Sequence, residues 1–118
     1  MIEATVRDYL EAQLNNVPVY LDIPADPPAQ FVSLEKTGSS RTNQVDTATF
    51  AIQSWGGSKY EAAALNQSVK QAMYDIVELD EIGAVRLSSD YDWTDTEKKH
   101  YRYQAVFSLT YYEEATNG

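Results

Sequence analysis

The sequence predicts an α+β domain: a mainly antiparallel sheet of about four to five strands with two helices packed on it, in the order α-β-β-β-α-β-β. Three observations lead there. Apolar residues recur at helical spacing over 2–14 and 59–78. They alternate at every second position in the segments between and after. The connections are short and carry Gly, Pro and Asn, and 118 residues fill about one domain, here read as 1–118.

The first segment places Ile2, Val6, Leu10 and Leu14 along one helical stripe, with Arg7, Asp8, Glu11 and Gln13 on the rest of the surface. Asn15 and Asn16 suit a left-handed cap and Pro18 prevents continuation, so the helix should stop by about residue 16. Val17 to Ile23 is β-branched and reads as a short strand, followed by a stiff connector containing Pro24, Pro27 and Pro28. Residues 30–37 form the next strand, Gly38-Ser39-Ser40 a turn, and residues 43–55 a strand with Ala48, Phe50 and Ile52 facing one way and Thr47, Thr49 and Gln53 the other. The expected hairpin therefore has a polar tip at 38–43.

Gly56-Gly57 breaks that strand, and Ser58-Lys59-Tyr60-Glu61 has the S-x-x-E form of a capping box. Leu65, Val69, Ala72, Met73 and Ile76 then continue a second helix, which should end before most of Glu78, Asp80 and Glu81, since acids oppose the dipole there. Two further strands follow, 82–91 with Val85, Leu87 and Tyr91 in alternation, and 101–112 with Tyr101, Tyr103, Ala105, Phe107, Leu109 and Tyr111 on one face. The charged stretch 92–100 reads as a loop, and 113–118 as a frayed tail.

Composition excludes several classes. No apolar run reaches the roughly 20 residues of a membrane span, and Glu3, Asp8 and Glu11 interrupt what a signal peptide would need to be apolar. Cysteine is absent, which removes disulfides, thiol nucleophiles and sulfur-ligated zinc. Eighteen acids against nine bases give a formal charge of -9, unsuited to gripping phosphates but suited to repelling a passing polyanion.

Few residues invite chemistry. Asp90, Asp92, Asp95 and Glu97 form an acidic cluster that could hold a cation or pair as general acid and base, but the loop lacks the central glycine and closing glutamate of an EF-hand, so a solvated charged turn is the simpler reading. His100 is the sole histidine, flanked by Lys98, Lys99 and Arg102, and reads as a surface residue; no nucleophile elbow, P-loop or dinucleotide fingerprint accompanies it. Gly56-Gly57 reads as the break before a capped helix and not as a phosphate cradle. Neither catalysis nor a cofactor is expected. Aromatic residues are 12% of the chain, and Trp55 and Trp93, in turn-like surroundings, are candidate partner contacts because such side chains bury area while keeping a polar handle.

The run Val45-Asp46-Thr47-Ala48-Thr49-Phe50-Ala51-Ile52-Gln53-Ser54-Trp55, the capped Ser58-Lys59-Tyr60-Glu61-Ala62-Ala63 and the close Tyr101-Arg102-Tyr103-Gln104-Ala105-Val106-Phe107 resemble the small tail-terminator, or tail-completion, proteins of long-tailed bacteriophages and prophages. The Pro-rich connector and Glu35-Lys36-Thr37-Gly38 add to the resemblance, which spans nearly the whole chain. It implies a structural, non-enzymatic virion protein that forms a homo-oligomeric ring, typically hexameric, on the head-proximal end of the tail tube. Such a ring ends tube polymerisation and docks the head. The implied partners are the tail tube protein and a head-completion or neck protein, with DNA passing through the lumen without specific binding and no membrane involved. The implied locations are the host cytoplasm during assembly and then the head-tail junction of the virion. The polar tip with Arg41, Thr42 and Asn43 is the expected subunit or tube contact, beside Trp55 and Trp93. Two alternatives stand: a neck stopper of the head-tail connector, or a small-molecule-binding α+β module using an aromatic pocket and the Asp90 to Glu97 loop.

Overall fold

In a computed structural model, described for residues 1–112, the second helix begins where the capping signal places it. Ser58 Oγ accepts a hydrogen bond from the Glu61 amide at 3.1 Å, and the Ser58 hydroxyl donates in turn to the Glu61 carboxylate at 3.3 Å. This opens α2, Lys59–Asp75, which hands over to a single 3-10 turn, Ile76–Glu78, so the α-helix is finished before the three acids. Gly56 lets the preceding strand meet the helix start. A Cβ there would lie 2.6 Å from the Ala62 amide nitrogen. The first helix, α1, spans Ile2–Gln13 and is followed by Asn15 and Asn16 at φ 52° and 74°, the left-handed conformation expected of them.

Five strands complete the order: β1 Val19–Tyr20, β2 Phe31–Thr42, β3 Val45–Gly56, β4 Ile82–Asp92 and β5 Tyr101–Tyr111. They lie side by side as β1-β2-β3-β5-β4, all neighbours antiparallel except β1 and β2, which run parallel through Val19↔Val32 and Tyr20↔Ser33. The fold is thus the expected α+β sheet with two helices. Its core lies between them: Val32, Leu34, Ala48, Phe50, Ile52, Ala105, Phe107 and Leu109 meet Val6 and Leu10 of α1 and Leu65, Val69 and Met73 of α2. Phe50 and Phe107, opposite one another on β3 and β5, have no exposed surface, and each contributes about 1.5–3 kcal/mol by leaving water. No helix among the described residues is long and apolar enough to cross a membrane.

Polar ties fix the helices to this core. Tyr9 of α1 donates to Glu78 at 2.5 Å, and its own burial followed by that carboxylate pushes the phenol up to about 12. Asp90 of β4 accepts from Asn66 at 2.8 Å and pairs with Lys70 at 2.5 Å, joining α2 to the sheet edge. Burial works to raise the Asp90 carboxyl, but the hydrogen bonds from Lys70 and Asn66 outweigh it and hold the group below its ordinary range.

The structure corrects the sequence reading at four places. The hairpin turn is not at Gly38-Ser39-Ser40: β2 continues through Thr42, and the chain reverses at Asn43-Gln44, with φ 53° and 67°. Two successive left-handed residues make the twist-matched two-residue turn. Gly38 instead follows a bulge between Lys36 and Gly38; it has no positive φ, and an added Cβ would touch nothing within 4 Å. The strand expected over 17–23 contributes only Val19–Tyr20 to the sheet, because the prolines that follow lead the chain away. Trp55 sits inside β3 and not in a turn. Finally, a bulge between Leu87 and Ser89 inverts the alternation of β4, so Asp90 faces α2 while Tyr91 faces the opposite side of the sheet. The tail expected at 113–118 lies outside the described residues.

Candidate functional site

The sheet face opposite the helices carries polar and aromatic side chains, and its rungs follow from strand parity. Ser33, Gln53, Gln104 and Tyr91 stand side by side on four adjacent strands. They form one hydrogen-bonded line: the Trp55 indole donates to Ser33 Oγ at 3.4 Å, Ser33 to Gln53 Oε1 at 3.3 Å, Gln53 Nε2 to Gln104 Oε1 at 2.9 Å, and Gln104 Nε2 to the Tyr91 hydroxyl. Gln104 is only 7% exposed, so these bonds satisfy amide groups that would be costly to bury alone.

One rung further along, Arg102 of β5 lies directly across from Trp55 of β3. Trp93 continues past the end of β4, its amide donating to Arg102 O at 2.9 Å while Arg102 Nε donates to Trp93 O at 2.8 Å. The guanidinium therefore sits between two indoles, 4.9 Å from the centroid of each. Trp55 also stacks on Phe31 at 4.9 Å and 17°, and His100 leans on the other side of the cluster at 5.7 Å. Phe31 in turn meets Tyr20.

The loop from Asp95 to His100 is built to hold His100 there. The two residues exchange backbone hydrogen bonds at 3.0 Å, Lys99 adopts φ 55°, and Asp95 Oδ1 accepts from the Glu97 and Lys98 amides at 3.2 Å. Those amides, Lys98 first, hold the Asp95 carboxyl below its usual value. Asp92 is lowered by its hydrogen bonds to Thr94, then by Lys59 at 3.1 Å, and the same contact raises the Lys59 ammonium. Asp90, Asp92 and Asp95 thus serve the loop and helix α2. Among the described residues no group of three or more metal-ligating side chains comes together.

Two grooves flank the aromatic cluster. One, about 400 Å³, runs over the polar line between Leu21–Ile23 and Trp93, with Asp22 and Glu35 on its walls. The other, about 470 Å³, lies between the proline connector and the end of the sheet, with Phe31 and Trp55 inside and Lys99 and His100 on its walls. Neither is lined by Asp90, Asp92, Asp95 or Glu97.

Of the contact residues read from the sequence, Trp55 and Trp93 are brought together here, with Trp93 43% exposed. Arg41, Thr42 and Asn43 lie elsewhere, exposed at the far end of the β2–β3 hairpin. Ten residues of strand, about 34 Å, separate Val45 from Trp55. Arg41 is tied to Asp46 across the hairpin at 3.8 Å. The sequence reading passed over Arg102, Gln104 and Lys99 as site residues. Their signal is the parity of β5, where Arg102 and Gln104 occupy the positions between Tyr101, Tyr103 and Ala105. No protein-family model matches this chain, and no curated protein matches it.

Proposed function

We propose that this chain is a ring-forming structural protein of a long-tailed phage or prophage, a tail terminator that assembles on the head-proximal end of the tail tube, stops its growth and receives the head. One observation carries the reading. Two regions of contact-forming character, the exposed hairpin tip at Arg41 to Gln44 and the Trp55–Arg102–Trp93 cluster, stand about 34 Å apart at opposite ends of β3 in a molecule 48 Å long. A subunit that must touch neighbours and a tube at once needs such separated contacts, and head-to-tail association of unlike patches gives a ring when the rotation between copies closes. The element order supports the reading, as does the charge of -9, which keeps DNA from adhering to a passage.

The protein acts at the junction of head and tail by surface complementarity, without a cofactor. Adding the purified chain to tail tubes and imaging their ends tests this directly. Density capping one end of each tube, and a solution mass rising toward that of a hexamer with concentration, are the expected results. Tubes that stay bare at saturating protein overturn the reading. A neck stopper differs in place and not in kind, and labelling the protein within virions separates the two. The apolar groove of about 470 Å³ favours a second reading, a ligand-binding module, for which a small molecule would raise the melting temperature in the absence of any tube.

A further inference from the structure

The groove at the proline connector and the far end of β5 differ in chemistry in a complementary way. Pro24, Pro27, Pro28, Phe31, Trp55 and Tyr101 give the groove an apolar lining. Its basic side chains are Lys99 and His100, and among the described residues no Asp or Glu lines it; Asp26 belongs to the same connector but does not line the groove. In a chain with eighteen acids and nine bases such a place is uncommon. The ring contact with Trp55 holds the His100 side chain in position before anything binds, and the backbone hydrogen bonds between Asp95 and His100 fix the loop that presents Lys99.

At the other end, β5 finishes at Tyr111 and the next residue, Tyr112, is 53% exposed, its amide donating to Glu81 O at 2.8 Å. The sequence continues Glu113-Glu114-Ala115. An aromatic ring followed by two carboxylates matches an apolar slot with a lysine and a histidine at its rim. The match cannot be made within one molecule. Tyr101 on the groove and Tyr111 are separated by ten residues of strand, about 34 Å, whereas two residues of chain reach at most about 7 Å beyond Tyr112.

We propose that the segment Tyr112 to Ala115 of one copy docks in the Phe31–Trp55 groove of the next, with Tyr112 against the apolar lining and Glu113 and Glu114 on Lys99 and His100. The contact is head to tail, the kind that forms a ring when the rotation between successive copies closes. The inference rests on the ring reading given above and names the surface through which the copies would meet.

The test uses a fluorescein-labelled peptide spanning Tyr111 to Gly118, titrated with the full chain and followed by anisotropy. Saturable binding is expected, weakened about tenfold by Lys99→Glu, with the order reversed for a peptide in which both glutamates are lysine. Lys99 is exposed in a loop, and an unchanged melting curve confirms that the variant folds. In the full chain, Lys99→Glu or the double change Glu113→Lys with Glu114→Lys lowers the mass seen by light scattering, and combining all three restores it. Absence of saturable peptide binding, or equal affinity for wild type and Lys99→Glu, overturns the proposal. If Lys99→Glu still caps tubes while the peptide fails to bind, this contact is wrong and the terminator reading stands. If the peptide binds as expected but wild-type protein never caps a tube, the contact stands without that reading.

Discussion

The two halves of β2 share one partner strand and differ in everything else. From Phe31 to Lys36 the strand is packed on its helix side and at Phe31: Val32 and Leu34 are buried under the helices, Phe31 is buried against Trp55 and Tyr20, and Lys36 reaches Glu3 of α1 at 3.3 Å. Beyond the bulge at Thr37, Gly38 to Thr42 is exposed at every residue, although its backbone still pairs with β3 down to Thr42↔Val45. Backbone pairing therefore extends further than packing does. The covered half stabilises the fold, whereas the bare half adds ladder without burial, from which a strand gains little.

The widest contrast is expected between Leu34→Ala and Ser40→Ala, one on each half. The first empties a buried site and costs about 2–5 kcal/mol in denaturant unfolding, while the second stays within about 0.5 kcal/mol of wild type. Equal effects would dissolve the distinction. Next in size is Asp90→Asn, on the rung that continues Leu34 through Ile52 and Ala105. It leaves Lys70 without its carboxylate partner and costs about 1–2 kcal/mol at neutral pH, between exposed and fully buried pairs.

Its pH dependence sharpens the point. The Asp90 pKa is lower in the folded state than in the unfolded one, so the wild-type contribution is complete above the ordinary value of about 3.9 and is lost as pH falls through the folded value. The stability difference between wild type and Asp90→Asn should therefore narrow below about pH 4, as read from urea midpoints at several pH values. Arg102→Ala, on the rung of Phe31 and Trp55, removes the cation between the two indoles and should cost about 1 kcal/mol with a red shift of tryptophan emission. The smallest effect has the opposite sign. Gln44→Gly relieves a side chain at φ 67° and should stabilise the hairpin by about 0.5–1 kcal/mol without altering Trp emission.

The covered half is also the legible half. Alternation at Ala48, Phe50 and Ile52, the helical stripe from Leu65 to Ile76 and the capping residues Ser58 and Glu61 all report burial or a satisfied amide, and sequence patterns record those directly. After Leu34 no apolar residue in β2 records a register, so the sequence points to a turn at Gly38-Ser39-Ser40, where composition favours it. Asn43-Gln44 lacks the glycine that would have announced it. The aromatic site was half legible. Trp55 and Trp93 stand out individually, but their meeting around Arg102 depends on the pairing of β3 with β5 and on the chain turning back after β4, distances that no local pattern carries.

The extra residue at Ser88 sets how this sequence can vary in length. Upstream of it Leu87 points to the core, and downstream of it Asp90 reaches Lys70 and Tyr91 reaches Gln104. Deleting Ser88 would regularise the ladder and leave Asp90 opposite Ala105 and Tyr91 opposite Gln104, whereas deleting a residue between Asp90 and the strand end has no bulge to absorb it. A single-residue insertion or deletion elsewhere in β4 is tolerated only if it is absorbed at one of its two irregularities, Gly83 and Ser88, or matched by a second one. Lineages of this protein should therefore gain or lose single residues of β4 at Gly83 or Ser88, and elsewhere change its length only by pairs or at its ends.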